Sequence, residues 1–261
     1  MVDIVCLGNL TKETIYFQGR TTSQVGGPIC FLAKALTVNN ISCGIVSKIG
    51  IDCDITLFKN INTDGIQIGE ETTRIDIYED GENTQGIVRS YSGKIDSAKI
   101  PRDYYDAGLY IVSTILDDVP SDLIQTIKLL NKKVALDLQG YLRVDLKQSL
   151  QLLPFVDYLK LNQKELEIVS ESSNTTKSLE LILKKMGGGI IILTKGSSGV
   201  EIYSNKTRDY LRTIPVESVQ TVGAGDLFFG SLMAKVYNGE EVIRAAEAAQ
   251  KYVHEELCRR L

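Results

Sequence analysis

An α/β protein, with a mostly parallel central sheet between two layers of helices and a small β-sheet set apart, is the class this sequence predicts. Three observations carry that expectation. From Leu109 onward, short apolar runs alternate with helical patterns, as in βα units feeding a parallel sheet. The segments 14–24 and 70–94 instead alternate from residue to residue, the period of half-buried strands, and so read as a hairpin pair outside the main sheet. Finally, the 261 residues are 43% hydrophobic, enough to bury one large core, so the chain reads as a single domain spanning 1–261.

Taken in order, Val2–Gly8 reads as a first buried strand. Asn9 follows at its carboxyl end, where open α/β sheets bind ligands. Asn9, with Glu13 beyond it, is therefore placed either to meet a polar substrate or to cap a turn. Gly26-Gly27-Pro28 then opens a helix over Ile29–Leu36 that stops at Asn39-Asn40. Ser42–Ile49 is the next strand, followed by a helix to Asn60 and a short strand near Ile66 and Ile68. In the 70–94 segment, Thr72, Arg74, Asp76 and Tyr78 alternate with Thr73, Ile75 and Ile77, and Asp80–Asn83 forms the turn of a hairpin. Arg89 on that hairpin either faces a ligand or is merely solvated.

In the second half, strands are expected at Tyr110–Ser113, Val134–Leu138, Tyr158–Leu161 and Ile190–Thr194. Helices are expected at Ser121–Leu130, Asp145–Leu152, Gln163–Val169 and Thr176–Met186. Asn162 reads as an N-cap with Glu165 in the capping-box position. The stretch from Gln220 to Tyr237 is a glycine-rich turn opening a helix: Leu227, Phe228, Leu232, Met233 and Val236 recur at helical spacing. Peptide N–H groups at such a start lack intrahelical partners and carry the positive end of the macrodipole, so Gly223-Ala224-Gly225 can cradle an anion, with Asp226 beside it. A cradle plus a carboxylate suits phosphoryl transfer to a hydroxyl; a capping acid after a plain turn is the bland alternative. Glu241–Arg260, rich in alanine, is a closing helix.

Composition excludes several classes. Lys plus Arg number 29 against 33 Asp plus Glu, a formal charge of −4, with no run of like charge to hold nucleic acid or a membrane surface. No apolar stretch approaches the roughly 18 residues of a membrane span, and no leader pattern opens the chain, so a cytoplasmic protein is expected. The five cysteines lack metal-site spacing and read as reduced thiols, and a single histidine, His254, argues against triad chemistry. No G-x-G-x-x-G follows the first strand, which argues against a dinucleotide-binding Rossmann protein.

T-V-G-A-G-D, ending at Asp226, closely resembles the second signature of the PfkB/ribokinase family of carbohydrate kinases. The first-strand Asn9, Gly26-Gly27, the hairpin, N-x-x-E at Asn162–Glu165 and T-K-G at Thr194–Gly196 follow in the family's order. The resemblance implies a ribokinase-like three-layer sandwich whose small β-sheet is a lid. It implies an ATP-dependent kinase, using Mg²⁺, that phosphorylates a hydroxyl of a sugar, polyol or nucleoside. On it, Gly223, Ala224 and Gly225 form the anion hole and Asp226 is the base; Glu165 serves the metal and Asn162 the nucleotide side. Thr194, Lys195, Gly196 and Gly199 also contact the nucleotide. Asn9, Gly26, Gly27, Arg89 and Gln139, the last within D-x-Q-G-x-x-R, face the acceptor, and the alanine-rich last helix walls the adenine pocket. Pairing of two copies through the lid is an arrangement the resemblance allows. Two departures, Ile29 for a usual Asn and Gln220 for a usual Asp that in several members helps hold a potassium-type cation, leave a second reading: a nucleotide- or sugar-binding protein on the same fold without catalysis.

Overall fold

The computed structural model describes residues 1–80, 83–170, 175–216 and 219–260. Nine strands form the main sheet: β1 (Ile4–Leu7), β4 (Cys43–Gly50), β5 (Asn62–Gly69), β8 (Leu109–Ser113), β9 (Lys133–Asp137), β10 (Tyr158–Asn162), β11 (Ile190–Thr194), β12 (Val200–Tyr203) and β13 (Arg208–Leu211), in the order β13-β12-β11-β10-β9-β8-β1-β4-β5. All neighbours are parallel except β11–β12 and β12–β13. A separate sheet is built from β2 (Thr11–Phe17), β3 (Arg20–Gly26), β6 (Thr73–Asp80) and β7 (Asn83–Ser90), ordered β3-β2-β6-β7.

The strand pleat divides the core in two. On β1, Ile4 and Cys6 join one apolar cluster and Val5 and Leu7 the other, because successive side chains point to opposite faces. The Ile4 face is covered by α1 (Pro28–Val38), α7 (Ala224–Tyr237) and α8 (Val242–Cys258). The Val5 face is covered by α2 (Ser121–Leu129), α4 (Leu146–Leu152), α5 (Gln163–Val169) and α6 (Thr175–Lys185), with the short α3 (Gln139–Val144) at the strand ends. The small sheet turns Ile15, Ile75 and Ile77 inward onto Ile115, with Val222 at the edge of that cluster.

The three-layer architecture and the separate sheet match the expectation. The helix expected before Asn60 does not form: a single 3₁₀ turn, Thr56–Phe58, stands there. Asp54 Oδ1 accepts from the Thr56 N–H at 2.9 Å, a side-chain bond that competes with helix propagation. Ala245, Ala246 and Ala249 are fully buried in the core cluster that includes α7, where their small size serves close helix packing. All five cysteines are free; Cys258 is exposed and Cys6, Cys43 and Cys53 are buried. Among the described residues no helix is long and apolar enough to cross a membrane. The hairpin turn at 81–82 lies outside the described residues.

Candidate active site

The site is assembled where β9 and β10 end against the start of α7. Parallel register sets Lys160 directly beside Asp137 across β9 and β10, and Asn162 beside Thr194 across β10 and β11. Lys160 Nζ is hydrogen-bonded to Asp137 Oδ2 and lies 3.6 Å from Asp226 Oδ1. Both lysine and Asp137 are withdrawn from water, with side chains 10% and 0% exposed, whereas Asp226 keeps 15%. A lone buried charge would be costly, and mutual pairing is what keeps these ionised groups here.

At the helix start, Gly223 has φ of 78°, and a Cβ there would lie 2.5 Å from the Phe31 ring, so this position requires glycine twice over. Gly225 is different: it is helical, and a Cβ on it would lie 3.5 Å from Lys160 Nζ. Its smallness leaves room beside the lysine rather than supplying an unusual backbone. The Ala224 N–H is turned onto the Thr221 carbonyl at 2.9 Å, so one amide of the expected anion hole is engaged within the turn.

Burial pushes the Asp226 carboxyl up to about 6; Lys160 pulls against this, and the charges of Asp137 and Glu13 add to it. For Lys160, burial opposes the charge, but Asp137, Asp226 and Glu165 outweigh it and hold the ammonium above its ordinary value. Glu165 is likewise raised, to about 7, by burial and then by Asp137. A carboxylate with a raised proton affinity beside a fixed cation suits a base that must take and release a proton near neutrality.

Asn162 and Glu165 form the capping box expected of them: Asn162 Oδ1 accepts from the Glu165 N–H at 2.9 Å and Glu165 Oε2 from the Asn162 N–H at 2.8 Å. Thr194 Oγ1 donates to the Leu161 carbonyl at 3.3 Å. Gly196 and Gly199, with φ of 56° and 110°, shape the following loop. Lys195 is held by Glu201, which also receives the Tyr203 hydroxyl and lies 3.5 Å from Arg208.

Among the residues expected to face the acceptor, Gly26-Gly27 is shaped around a residue of the chain itself. The buried Glu13 carboxylate accepts from the Gly27 N–H at 2.7 Å and from Gln24 Nε2 at 2.8 Å, and a Cβ on Gly26 would lie 2.1 Å from it. Asn9 is fully buried: its Nδ2 donates to the Gly93 carbonyl and its Oδ1 accepts from the Lys48 N–H, both at 2.8 Å. Its amide ties strand ends together. Arg89 pairs with Asp76 at 2.7 Å, and Asp76 alternates with the inward Ile75 and Ile77; Arg89 and Asp76 both line a concavity of the small sheet that Glu13 and Gln24 also border. Gln139 opens α3, and its N–H donates to Asp137 Oδ1 at 3.2 Å. Asp137 of the same motif pairs with Lys160, while Arg143 donates to the Ile115 carbonyl at 3.3 Å.

Three contributors escape the motif reading: Lys160, and Glu79 and Arg260, which hold residues 220–222 just before the glycine turn. For Lys160 a signal existed. A lysine in the otherwise apolar strand Y-L-K-L-N has no route to water from a sheet covered on both faces, so it must meet buried acids.

The model of the pfkB family carbohydrate kinases matches residues 8–253. A cytidine kinase from Thermococcus kodakarensis is 26% identical, with 94% of this chain and 93% of the relative covered. Among solved structures, a candidate ribokinase II from E. coli in complex with ATP and Mg²⁺ superposes with a TM-score of 0.80 at 18% identity, covering 96% of this chain and 91% of that one. A pyrophosphate-dependent kinase of the ribokinase family, complexed with a pyrophosphate analog and myo-inositol, gives 0.83 at 16% identity, covering 97% and 94%. These likenesses establish the ribokinase-like fold.

Proposed function

The chain belongs to the pfkB family of carbohydrate kinases, and on that premise we propose that it moves the γ-phosphoryl group of ATP, in the presence of Mg²⁺, to a hydroxyl of a sugar, polyol or nucleoside, with Asp226 as the base. The observation that carries this reading is the juxtaposition of Asp226, Lys160 Nζ at 3.6 Å and the glycine turn at the N-terminus of α7. The carboxylate accepts the hydroxyl proton, while Lys160 and the helix start present positive charge to the transferring oxygens. A protein that had lost catalysis would have no need to keep a base, a cation and a glycine-only turn in contact.

Glu13 and the Gly26-Gly27 turn border the acceptor side, since the Glu13 charge acts on Asp226 and its carboxylate is a ready acceptor for substrate hydroxyls. Among acceptors, the nucleoside class is favoured by the cytidine kinase that matches nearly end to end.

The donor set also fits magnesium. Among the described residues no group of three acid, histidine or cysteine side chains could hold a metal by itself. Mg²⁺ takes hard oxygens, keeps several waters and draws further ligands from substrate phosphates, so one carboxylate in the first turn of α5, Glu165, suffices on the protein side. When bound, the ion neutralises phosphate charge.

A panel of nucleosides, sugars and polyols, with ATP consumption and acceptor phosphorylation both measured, tests the reading. At least one class should be phosphorylated by the parent chain and not by Asp226→Asn. If none is, at any Mg²⁺ level, the proposal fails.

A further inference from the structure

The three residues before the glycine turn are gripped from outside by two charged side chains that are far away in sequence. Arg260, just past α8, donates from Nη1 to the carbonyls of both Gln220 (3.0 Å) and Val222 (2.8 Å). Between those two peptides, the Thr221 N–H donates at 2.7 Å to Glu79 Oε1, near the end of β6, which also receives the Thr221 hydroxyl. The Thr221 carbonyl in turn holds the Ala224 N–H. A chain of hydrogen bonds therefore runs from the small sheet, through Thr221, into the first peptide of the cradle.

Neither group is there cheaply. Glu79 is 5% exposed, and its Oε2 is buried with no hydrogen-bond partner among the described residues. Burial pulls the Arg260 guanidinium below its ordinary value, with Glu256 and Glu79 opposing. Buried charges are retained where their contacts repay desolvation, and every hydrogen bond just named is on backbone within six residues of Asp226 or on the Thr221 hydroxyl. Two carbonyl oxygens converging on one nitrogen also form an oxygen cradle for positive charge, which the tethered guanidinium fills.

We propose that Arg260 and Glu79 are positioning residues for phosphoryl transfer: Arg260 is a tethered cation that fixes the Gln220 and Val222 carbonyls, and Glu79 couples the small sheet to the same loop, so the cradle is set only when both are seated. This rests on reading the Gly223–Gly225 turn as the phosphoryl cradle. Neither residue touches substrate; each acts through the backbone.

Arg260→Ala, Arg260→Lys and Glu79→Gln in the full chain test the inference by two readouts. Hydrogen–deuterium exchange of the peptide covering Thr221–Leu227 needs no turnover: exchange should quicken about tenfold or more in Arg260→Ala and Glu79→Gln, while peptides from β8 to β11 keep parental rates. In turnover with MgATP and the acceptor chosen by the panel, Arg260→Ala should lose about ten- to a hundredfold in kcat, as small misplacements of catalytic groups do, with acceptor KM little changed. Guanidinium chloride at low, non-denaturing concentration, or the Lys variant, should recover part of that kcat, and guanidinium should not stimulate the parent. Unchanged loop exchange overturns the inference, as does parental kcat despite a loosened loop, or a loss that neither lysine nor guanidinium repairs. If the parent phosphorylates no acceptor yet Arg260→Ala still loosens the loop, the kinase reading falls and the brace itself stands.

Discussion

Replacing Asp226 by Asn separates chemistry from stability because the structure sets their signs apart. The side chain is 15% exposed and 3.6 Å from Lys160, and Asn keeps its shape. What is lost is the ability to accept a proton, a contribution of about 10²- to 10⁴-fold, or roughly 3 to 5 kcal/mol of transition-state stabilisation. Stability should move the other way. The folded-state carboxyl is raised from 3.8 to about 6 by burial, so the fold favours its neutral form. For a group raised in the folded state, the stabilising contribution is complete below the unfolded value and is lost as pH climbs through the folded one. Above pH about 6 the parent therefore carries the cost of an ionised Asp226 that Asn does not, of order 1–3 kcal/mol at about 1.4 kcal/mol per tenfold in proton affinity. Asp226→Asn should melt at or above the parental temperature at neutral and alkaline pH, with an advantage that fades between pH about 6 and 4. Turnover at saturating MgATP and acceptor, with calorimetric melting across that range, reads both. A variant keeping more than about a tenth of parental kcat refutes the base assignment; one that melts well below the parent refutes the electrostatic argument.

The parental kcat/KM should itself fall tenfold per pH unit below about 6, as Asp226 takes up a proton; a flat profile down to pH about 5 would count against it. Lys160→Met strands Asp137, whose side chain is 0% exposed, and should cost about 3–5 kcal/mol by urea titration, whereas the Asp137→Leu/Lys160→Met pair should recover most of that without recovering activity. Glu165→Gln leaves a capping side chain in place and should act mainly by raising the Mg²⁺ needed for half-maximal rate; an equal loss at all Mg²⁺ concentrations would exclude its metal role. Gly223→Ala meets both a φ of 78° and the Phe31 ring, and should cost roughly 1–3 kcal/mol of stability along with most of the turnover.

Local pattern carried most of the fold. Apolar runs became β8 to β11, and the segments alternating at period two became the separate sheet, because burial on both faces or on one leaves different residue spacing. The misread stretch before Asn60 failed for a local reason as well, the Asp54–Thr56 side-chain bond. β12, β13 and α3 are short elements with no long period to announce them. The site divided along another line. Asp226 and Gly223 belong to one contiguous motif and are legible. Lys160–Asp137 depends on the order and register of β9 and β10, and Glu79–Thr221 and Arg260–Gln220 join residues 142 and 40 positions apart. Such pairings are decided by topology, to which no short window of sequence has access. Asn9 and Arg89 show the converse: each stands at a position where a ligand contact is plausible, and a nearer partner, Gly93 with Lys48 or Asp76, has taken the side chain.

The same geometry bears on why this site needs a divalent ion. Asp137, Glu165 and Asp226 surround one lysine, and Glu13 adds its field to theirs. Burial first, and then the surplus of acids over the one ammonium, makes Asp226 and Glu165 hold protons more tightly than ordinary carboxylates. A polyphosphate brought to this place would meet repulsion from acids that a helix start of roughly half a charge and a single lysine cannot cancel. A divalent ion held by Glu165 would offset part of that repulsion and would lower the proton affinity of Glu165 and Asp226.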